Sequence, residues 1–301
     1  MLFFDPSLPT PPSPDPEWAW FNAHPEAQEL TEERWARFER NCPDTPAGFL
    51  GNARSHFRGA VWQMHVTDIL SPLPGFEPGD REGPDLFIRF RGQRVAVECT
   101  AIGYSSTDYR HDPGRKSRSV GWGPARVEEI YARLADSLRT KQEQFGRWVK
   151  AGLVHAEDPF IVALSMGVLD WAQPRGEPPP LMGAVYAMGQ VEFVLPIAGR
   201  GQPPIEPYVQ RRQRLSAKKS AAGNPKDADL FMSRGEAGGI SAVLFSEHYT
   251  DPFRRRDGRE FELVHNAHAL VPVAERALPC GREWARRGDF IEPLDPSATA
   301  A

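Results

Sequence analysis

Two short runs rich in β-branched and aromatic residues, Asp85-Leu-Phe-Ile-Arg-Phe and Arg94-Val-Ala-Val-Glu-Cys-Thr, are separated only by Arg91-Gly92-Gln93. That pattern predicts a β-hairpin, and a hairpin commits the chain to a sheet that something else must cover. Strand side chains alternate between faces, so Val95, Val97 and Cys99 point one way and Ala96, Glu98 and Thr100 the other. A turn centred on Gly92-Gln93 pairs residues whose numbers sum to 185. Phe87 then faces Glu98, Asp85 faces Thr100, and Asp85 and Glu98 become diagonal neighbours about 7 Å apart. Two carboxylates so placed suit a shared hard divalent cation, with the Cys99 backbone carbonyl as a third oxygen. Their mutual repulsion makes a bound cation favourable. The bland alternative is a strand-entry acid and an exposed strand acid. Against it, Glu98 is followed by Thr-Ala-Ile-Gly, which does not read as a solvated face.

The flanking sequence supplies helices. Thr31-Glu-Glu-Arg reads as an N-cap with early acids, followed by Trp35 and Phe38 at helical spacing. A second helix is expected over 47–69, with Phe57, Val61, Met64 and Ile69 near one face. Pro124 opens the most periodic helix, about 124–150, with an apolar stripe of Val127, Ile130, Tyr131, Leu134, Leu138, Phe145 and Trp148. Lys141 continues that stripe between Leu138 and Phe145. A lysine there either snorkels to solvent or pairs with an acid, which is expected if its ammonium reaches Asp85 and Glu98. Gln142 and Gln144 flank it. The continuous apolar run Phe160–Met166 predicts a buried strand. Helical turns or strands are expected at 184–188, 191–195, 240–246 and 261–264, and a short helix near 281–287. The fold class expected is α/β (α+β), a mixed central sheet flanked by helices. The division expected is a proline-rich arm over 1–28, one domain over 29–290 with basic loop insertions at about 103–123 and 203–230, and a tail over 291–301.

Pro84-Asp85 opening one strand and Glu98-Cys99-Thr100 ending the next resemble the PD-(D/E)XK nuclease superfamily, whose fold is restriction-endonuclease-like. In that family Glu-x-Lys ends the second strand; here Thr100 takes the lysine's place. Some branches carry the lysine on the following helix, the position Lys141 occupies. An upstream helix in the family often holds a further acid, and here Trp62-Gln63-Met64 offers an amide instead. Phe231-Met-Ser-Arg-Gly, Ile240-Ser-Ala-Val-Leu-Phe and Leu263-Val-His-Asn-Ala-His-Ala look like segments of uncharacterised bacterial proteins of the same superfamily. The resemblance spans about 47–275. It implies a Mg²⁺- or Mn²⁺-dependent nuclease, with Asp85 and Glu98 holding the metal, Cys99 and Gln63 adding oxygen ligands, and Lys141 helping to activate water. A homodimer is compatible with it, as is a role in defence or repair.

Charge along the chain bears on the partner. The formal net charge is −4, which taken as a sum speaks against nucleic acid. A local field, not the sum, meets a ligand. Arg110, Arg115, Lys116 and Arg118 cluster in one loop, Arg211, Arg212, Arg214, Lys218, Lys219 and Lys226 in another, and Arg254 to Arg256 in a third. Such clusters can neutralise phosphates, and Tyr109 and Trp122 can stack on bases, so DNA or RNA is the expected partner. His265-Asn-Ala-His268 reads as loop-ordering residues rather than a metal pair. The three cysteines, Cys42, Cys99 and Cys280, suggest neither a disulfide scaffold nor a zinc knuckle, and Cys99 is expected to be inert. No run of about 20 apolar residues is present, and the first residues lack a signal-peptide pattern, so a cytoplasmic protein is expected. Three functions fit: a metal-dependent nuclease, a catalytically inactive nucleic-acid-binding module, and a metal-dependent hydrolase of nucleotides or small phosphate esters.

Overall fold

The protein is described from a computed structural model. It describes residues 2–5, 7, 14–44, 47–80, 82–102, 124–166, 179–186, 188–192, 208–211, 214–215, 226–227, 230–232, 237–246, 258–288 and 290–294. The chain begins with α1 (Pro16–Ala23), α2 (Pro25–Asn41), α3 (Ala47–Ser55) and α4 (Phe57–Leu70). Then come β1 (Glu77–Pro78), β2 (Leu86–Phe90), β3 (Gln93–Ala101), α5 (Pro124–Ala151) and β4 (Phe160–Ser165). They are followed by α6 (Pro180–Val185), β5 (Met188–Glu192), β6 (Tyr208–Arg211), β7 (Arg214–Leu215) and β8 (Lys226–Asp227). The last elements are β9 (Ala242–Ser246), β10 (Glu262–His265), β11 (Arg282–Arg287) and β12 (Phe290–Pro293).

Eight strands form one mixed sheet in the order β1-β2-β3-β4-β9-β10-β11-β12, while β5–β6 and β7–β8 make two small antiparallel pairs. The expected mixed sheet with flanking helices is therefore present. At its centre β3, β4 and β9 run parallel, which requires a crossover between β3 and β4. That crossover contains α5. Both faces of the sheet are covered, and β4 shows it residue by residue. Val162 and Leu164 pack with Ile130, Leu134, Leu138, Phe145 and Trp148 of α5. Ile161 and Ala163 pack with Phe57, Trp62 and Met64 of α4 and the helices before it. A strand buried on both sides has no need of polar alternation, hence the unbroken apolar run. Phe145 stacks on Phe160, with centroids 4.5 Å apart. Trp62 donates its indole N–H to the Ala163 carbonyl at 2.8 Å, fixing α4 to the sheet centre. Phe3 and Phe4 ahead of the N-terminal prolines, and Trp18 and Phe21 beyond them, belong to the α4-side core.

Several local expectations are corrected. Thr31 is not an N-cap: α2 begins at Pro25, and Thr31 sits inside it with its hydroxyl donating to the Ala27 carbonyl at 2.8 Å. Proline at the first helical position, where its missing N–H costs nothing, starts the helix earlier. The helix expected over 47–69 is two, α3 and α4, broken at His56, whose backbone leaves the helical region (φ −136°). The helix expected at 281–287 is the strand β11, pairing in parallel with β10. An isolated helix of that length is marginal, whereas the open edge of β10 supplies ladder partners. Arg282 meets Glu262 at 2.5 Å and the Trp284 indole donates to the same carboxylate at 2.8 Å. Among the described residues no helix is long and apolar enough to cross a membrane.

Candidate active site

The hairpin turns on Arg91 and Gly92, with φ of 48° and 82°. A two-residue turn with both φ positive matches the twist of antiparallel strands. Gln93 is therefore not a turn residue but pairs with Phe90, and the register runs Leu86↔Val97, Phe87↔Ala96. Paired numbers sum to 183, not the expected 185. Carried one residue beyond Leu86, the register sets Asp85 directly opposite Glu98, correcting the diagonal placement. The Ala96 N–H points toward the β4 side, bonding the Pro159 carbonyl. Even residues of β3 thus direct their backbone away from β2, and Asp85 and Glu98 form the closely spaced kind of antiparallel pair, about 4.5 Å between Cα atoms.

β3 outlasts β2, and this gives the site its shape. Beyond Val97, the odd residues of β3 offer backbone groups to an edge that β2 no longer occupies. Asp85 meets this edge: its Oδ2 accepts the Cys99 N–H at 2.7 Å. The Cys99 carbonyl lies on the same edge, since both backbone groups of a strand residue point the same way. The Asp85 N–H donates in turn to Glu98 Oε2 at 3.3 Å.

Glu98 is 6% exposed and faces α5. Lys141 reaches it from there, with Nζ 2.7 Å from Glu98 Oε1. The lysine is therefore paired, and its interruption of an apolar stripe has a local electrostatic reason. Gln144, one turn further along the same face, completes a triangle: Lys141 donates to Gln144 Oε1 at 3.1 Å, and Gln144 Nε2 donates to Glu98 Oε1 at 3.3 Å. Gln142 points elsewhere, against Gly239, where an added Cβ would meet its Nε2 at 2.5 Å.

Among the described residues one cation faces two acids, and the imbalance falls on Asp85. Although its surface still reaches solvent, its carboxyl is hemmed in by protein. Desolvation, and then the charge of Glu98, push it well above the usual carboxylate range; the Cys99 N–H and Lys141 oppose that only in part. The same surroundings push the Cys99 thiol well up, through burial first and then the two acids. Burial pushes Cys280 up to about 12, and Cys42 is buried. The native chain should therefore resist alkylation by iodoacetamide near pH 8, where an ordinary thiol of pKa about 8.5 reacts. The unfolded chain should take up three equivalents. Rapid modification of Cys99 in the folded protein would contradict this.

The loop into Asp85 depends on Gly79. Its N–H donates to the Asp85 carbonyl at 2.9 Å, and a Cβ there would lie 1.7 Å from the Pro84 carbonyl oxygen. Backbone, not a flexible side chain, is in the way, so Gly79→Ala must displace Pro84-Asp85. We expect a stability loss of about 1–3 kcal/mol by thermal unfolding, with loss of whatever the Asp85–Glu98 pair binds. Sequence reading missed Gly79; the one visible signal was a glycine in the short loop between Pro78 and Pro84.

Other expected site residues fall as follows. Gln63 is half-buried on α4 and makes no side-chain hydrogen bond among the described residues. Thr100 follows Glu98 on the same strand face and pairs in register with Leu164. Arg211 closes β6, Arg214 opens β7 and Lys226 opens β8. Tyr109, Arg110, Arg115, Lys116, Arg118, Trp122, Arg212, Lys218, Lys219 and Arg254 to Arg256 lie outside the described residues. His265 pairs with Glu283 at 2.5 Å, and Asn266 donates to the Ala237 and Ile240 carbonyls at 3.0 and 2.8 Å. They order a loop, as expected, at the opposite sheet edge from Asp85. Among the described residues no group of three or more His, Cys, Asp or Glu side chains converges to hold a metal. Two carboxylates and a backbone carbonyl nevertheless match what Mg²⁺ takes from a protein, since it keeps several waters and needs one or two carboxylates. The desolvated, mutually repelling acids leave an electrostatic gap of the kind such an ion would fill. No family model, curated protein or solved structure matches this chain.

Proposed function

We propose that the protein is a Mg²⁺- or Mn²⁺-dependent nuclease hydrolysing phosphodiester bonds, with a site of the PD-(D/E)XK kind built from Asp85, Glu98 and Lys141. The observation that carries this reading is the Lys141 ammonium 2.7 Å from Glu98 Oε1, brought by a separate helix to a strand pair that already opposes two acids. An ion pair alone would need one acid. The second, Asp85, is kept close to Glu98 by bonds through the backbone of both strands, at an electrostatic cost that a structural role does not require.

In this reading Asp85, Glu98 and the Cys99 carbonyl hold the metal. A divalent ion held by these residues would supply Lewis-acid polarisation of the phosphodiester and would ease deprotonation of the attacking water. Lys141 orients the attacking water and stabilises charge developing on the phosphate oxygens. It does from α5 what a lysine at position 100 would do from β3. Gln63, an amide beside Trp62, is a further oxygen donor by resemblance only. The partner assigned is nucleic acid, DNA in the first instance. Residues 103–123 come after the C-terminal end of β3 and 247–257 after that of β9, two strands that run parallel on either side of β4, so two of the three basic segments start from the end of the sheet where Asp85 lies. Open α/β sheets bind ligands beyond the carboxyl ends of their strands.

The test is incubation of the purified protein with plasmid, linear and single-stranded DNA and with RNA, in Mg²⁺ or Mn²⁺. Cleavage that EDTA stops supports the reading. Binding to DNA without cleavage would make the protein an inactive binding module, and hydrolysis of nucleotides but not polymers a phosphoesterase; either outcome overturns it.

A further inference from the structure

We propose that Gln144 is a positioning residue that retains the Lys141 ammonium beside the site when a divalent cation takes over Glu98; this rests on the metal-dependent reading above. Glu98 Oε1 is the contested atom. It accepts from Lys141 Nζ at 2.7 Å and from Gln144 Nε2 at 3.3 Å, while Glu98 Oε2 and Asp85 Oδ2 are engaged by backbone N–H groups. Lys141 thus stands where it partly neutralises the two acids. A divalent cation shared by Asp85 and Glu98 does the same job with twice the charge and repels the ammonium.

The displaced ammonium must then be satisfied. Its side chain is 17% exposed, between Leu138 and Phe145, both buried in the α5-side core. An ammonium has three protons to place and no acceptor of its own, and leaving it unpaired there is costly. Gln144 Oε1 already accepts one of those protons at 3.1 Å. It is a neutral acceptor on the same helix face, three residues on, so it moves with Lys141. Being uncharged, it holds the ammonium without competing with Glu98 for the metal. A small rotation of the lysine toward Gln144 then leaves the cation next to the site, where the chemistry needs it.

Calorimetric titration of the full chain with Mn²⁺ tests this in wild type, Gln144→Met, Lys141→Met, the double variant, Gln144→Glu and Asp85→Asn. Gln144→Met should weaken Mn²⁺ binding by about tenfold, equivalent to about 1.4 kcal/mol, because the ammonium has no second acceptor and clings to Glu98. Lys141→Met should bind more tightly than wild type. The double variant should match Lys141→Met, since Gln144 acts only through the lysine. Gln144→Glu, which restores an acceptor, should bind at least as well as wild type. Thermal unfolding of each variant shows which remain folded, and the comparison between the double variant and Lys141→Met holds even if Gln144→Met is destabilised. A Gln144→Met effect of equal size in the Lys141→Met background overturns the proposal, as does no effect in wild type while Asp85→Asn abolishes binding. No saturable Mn²⁺ binding by wild type overturns this proposal and the metal-dependent reading together.

Discussion

Asp85→Asn is expected to lose metal-dependent cleavage while making the metal-free chain more stable at neutral pH. A charged ligand oxygen contributes several kcal/mol to a metal's hold and to its charge stabilisation. Losing about 4 kcal/mol of that is about a thousandfold in rate. The gain in stability follows from the direction of the Asp85 shift. Its carboxyl is held well above the usual range by desolvation and by Glu98, so the folded chain binds that proton more tightly than the unfolded one. Where the folded state carries the extra proton, stability falls as pH rises. The fall begins in the usual carboxylate range, near pH 4 for an ordinary aspartate, and is complete once pH passes the raised value. Above that, the wild type carries the full penalty of an ionised Asp85. Asparagine removes the charge and keeps the geometry, because its Oδ1 can accept the Cys99 N–H that Oδ2 takes now. Thermal unfolding in EDTA from about pH 4 to about pH 8 should therefore show the two chains converging at the acid end. The variant should be higher by a few degrees at the neutral end, and adding Mg²⁺ should raise the wild type but not the variant. A variant less stable than wild type at neutral pH, or one that still cleaves, would refute the placement of Asp85.

What the sequence made legible here is what neighbours in sequence determine. The hairpin, the long helix and the buried strand each announce themselves by periodicity, and β2, β3, α5 and β4 lie close to where periodicity puts them. Lys141 was legible for a related reason: a charge on an apolar stripe needs an explanation, and the hairpin held two acids that themselves called for a cation. Register was not legible to one step, because it depends on whether Arg91 adopts a positive φ, and nothing in a single sequence separates Arg-Gly from Gly-Gln as the turn. That step moved Asp85 from diagonal to opposite, so the site is tighter than expected. β11 was misread because its strand state comes from the edge of β10, a partner about twenty positions away in register. Gly79 went unseen because its role is a close approach to Pro84, a contact that has no periodic signature. Of the basic residues in the three segments, Arg211, Arg214 and Lys226 lie on described strands, and nothing in the alternation of a loop's sequence says which way its charges face.

Lys141→Met is the second large effect, and it runs opposite to Asp85→Asn in the metal-free chain. Among the described residues it removes the one cation bonded to Glu98 and leaves a carboxylate that is 6% exposed facing a second carboxylate, with Gln144 Nε2 at 3.3 Å as the side-chain donor that remains there. Breaking a buried pair from one side costs about 3–5 kcal/mol, mostly through the charge left behind. Lys141 and Glu98 keep 17% and 8% side-chain exposure, so about 3 kcal/mol is the expected loss at neutral pH in EDTA. An exposed pair such as Arg89–Glu77, with 51% and 42% exposure, should cost under about 1 kcal/mol when broken; Arg89→Met is the control. Because a bound cation replaces the missing ammonium, Mg²⁺ should restore much of the stability of Lys141→Met without restoring cleavage. The two functions of the lysine come apart in that experiment: its charge is exchangeable with a metal, and its position beside the attacking water is not. Retained cleavage would remove Lys141 from the chemistry, and a variant no less stable than wild type in EDTA would remove it from the charge balance of the site.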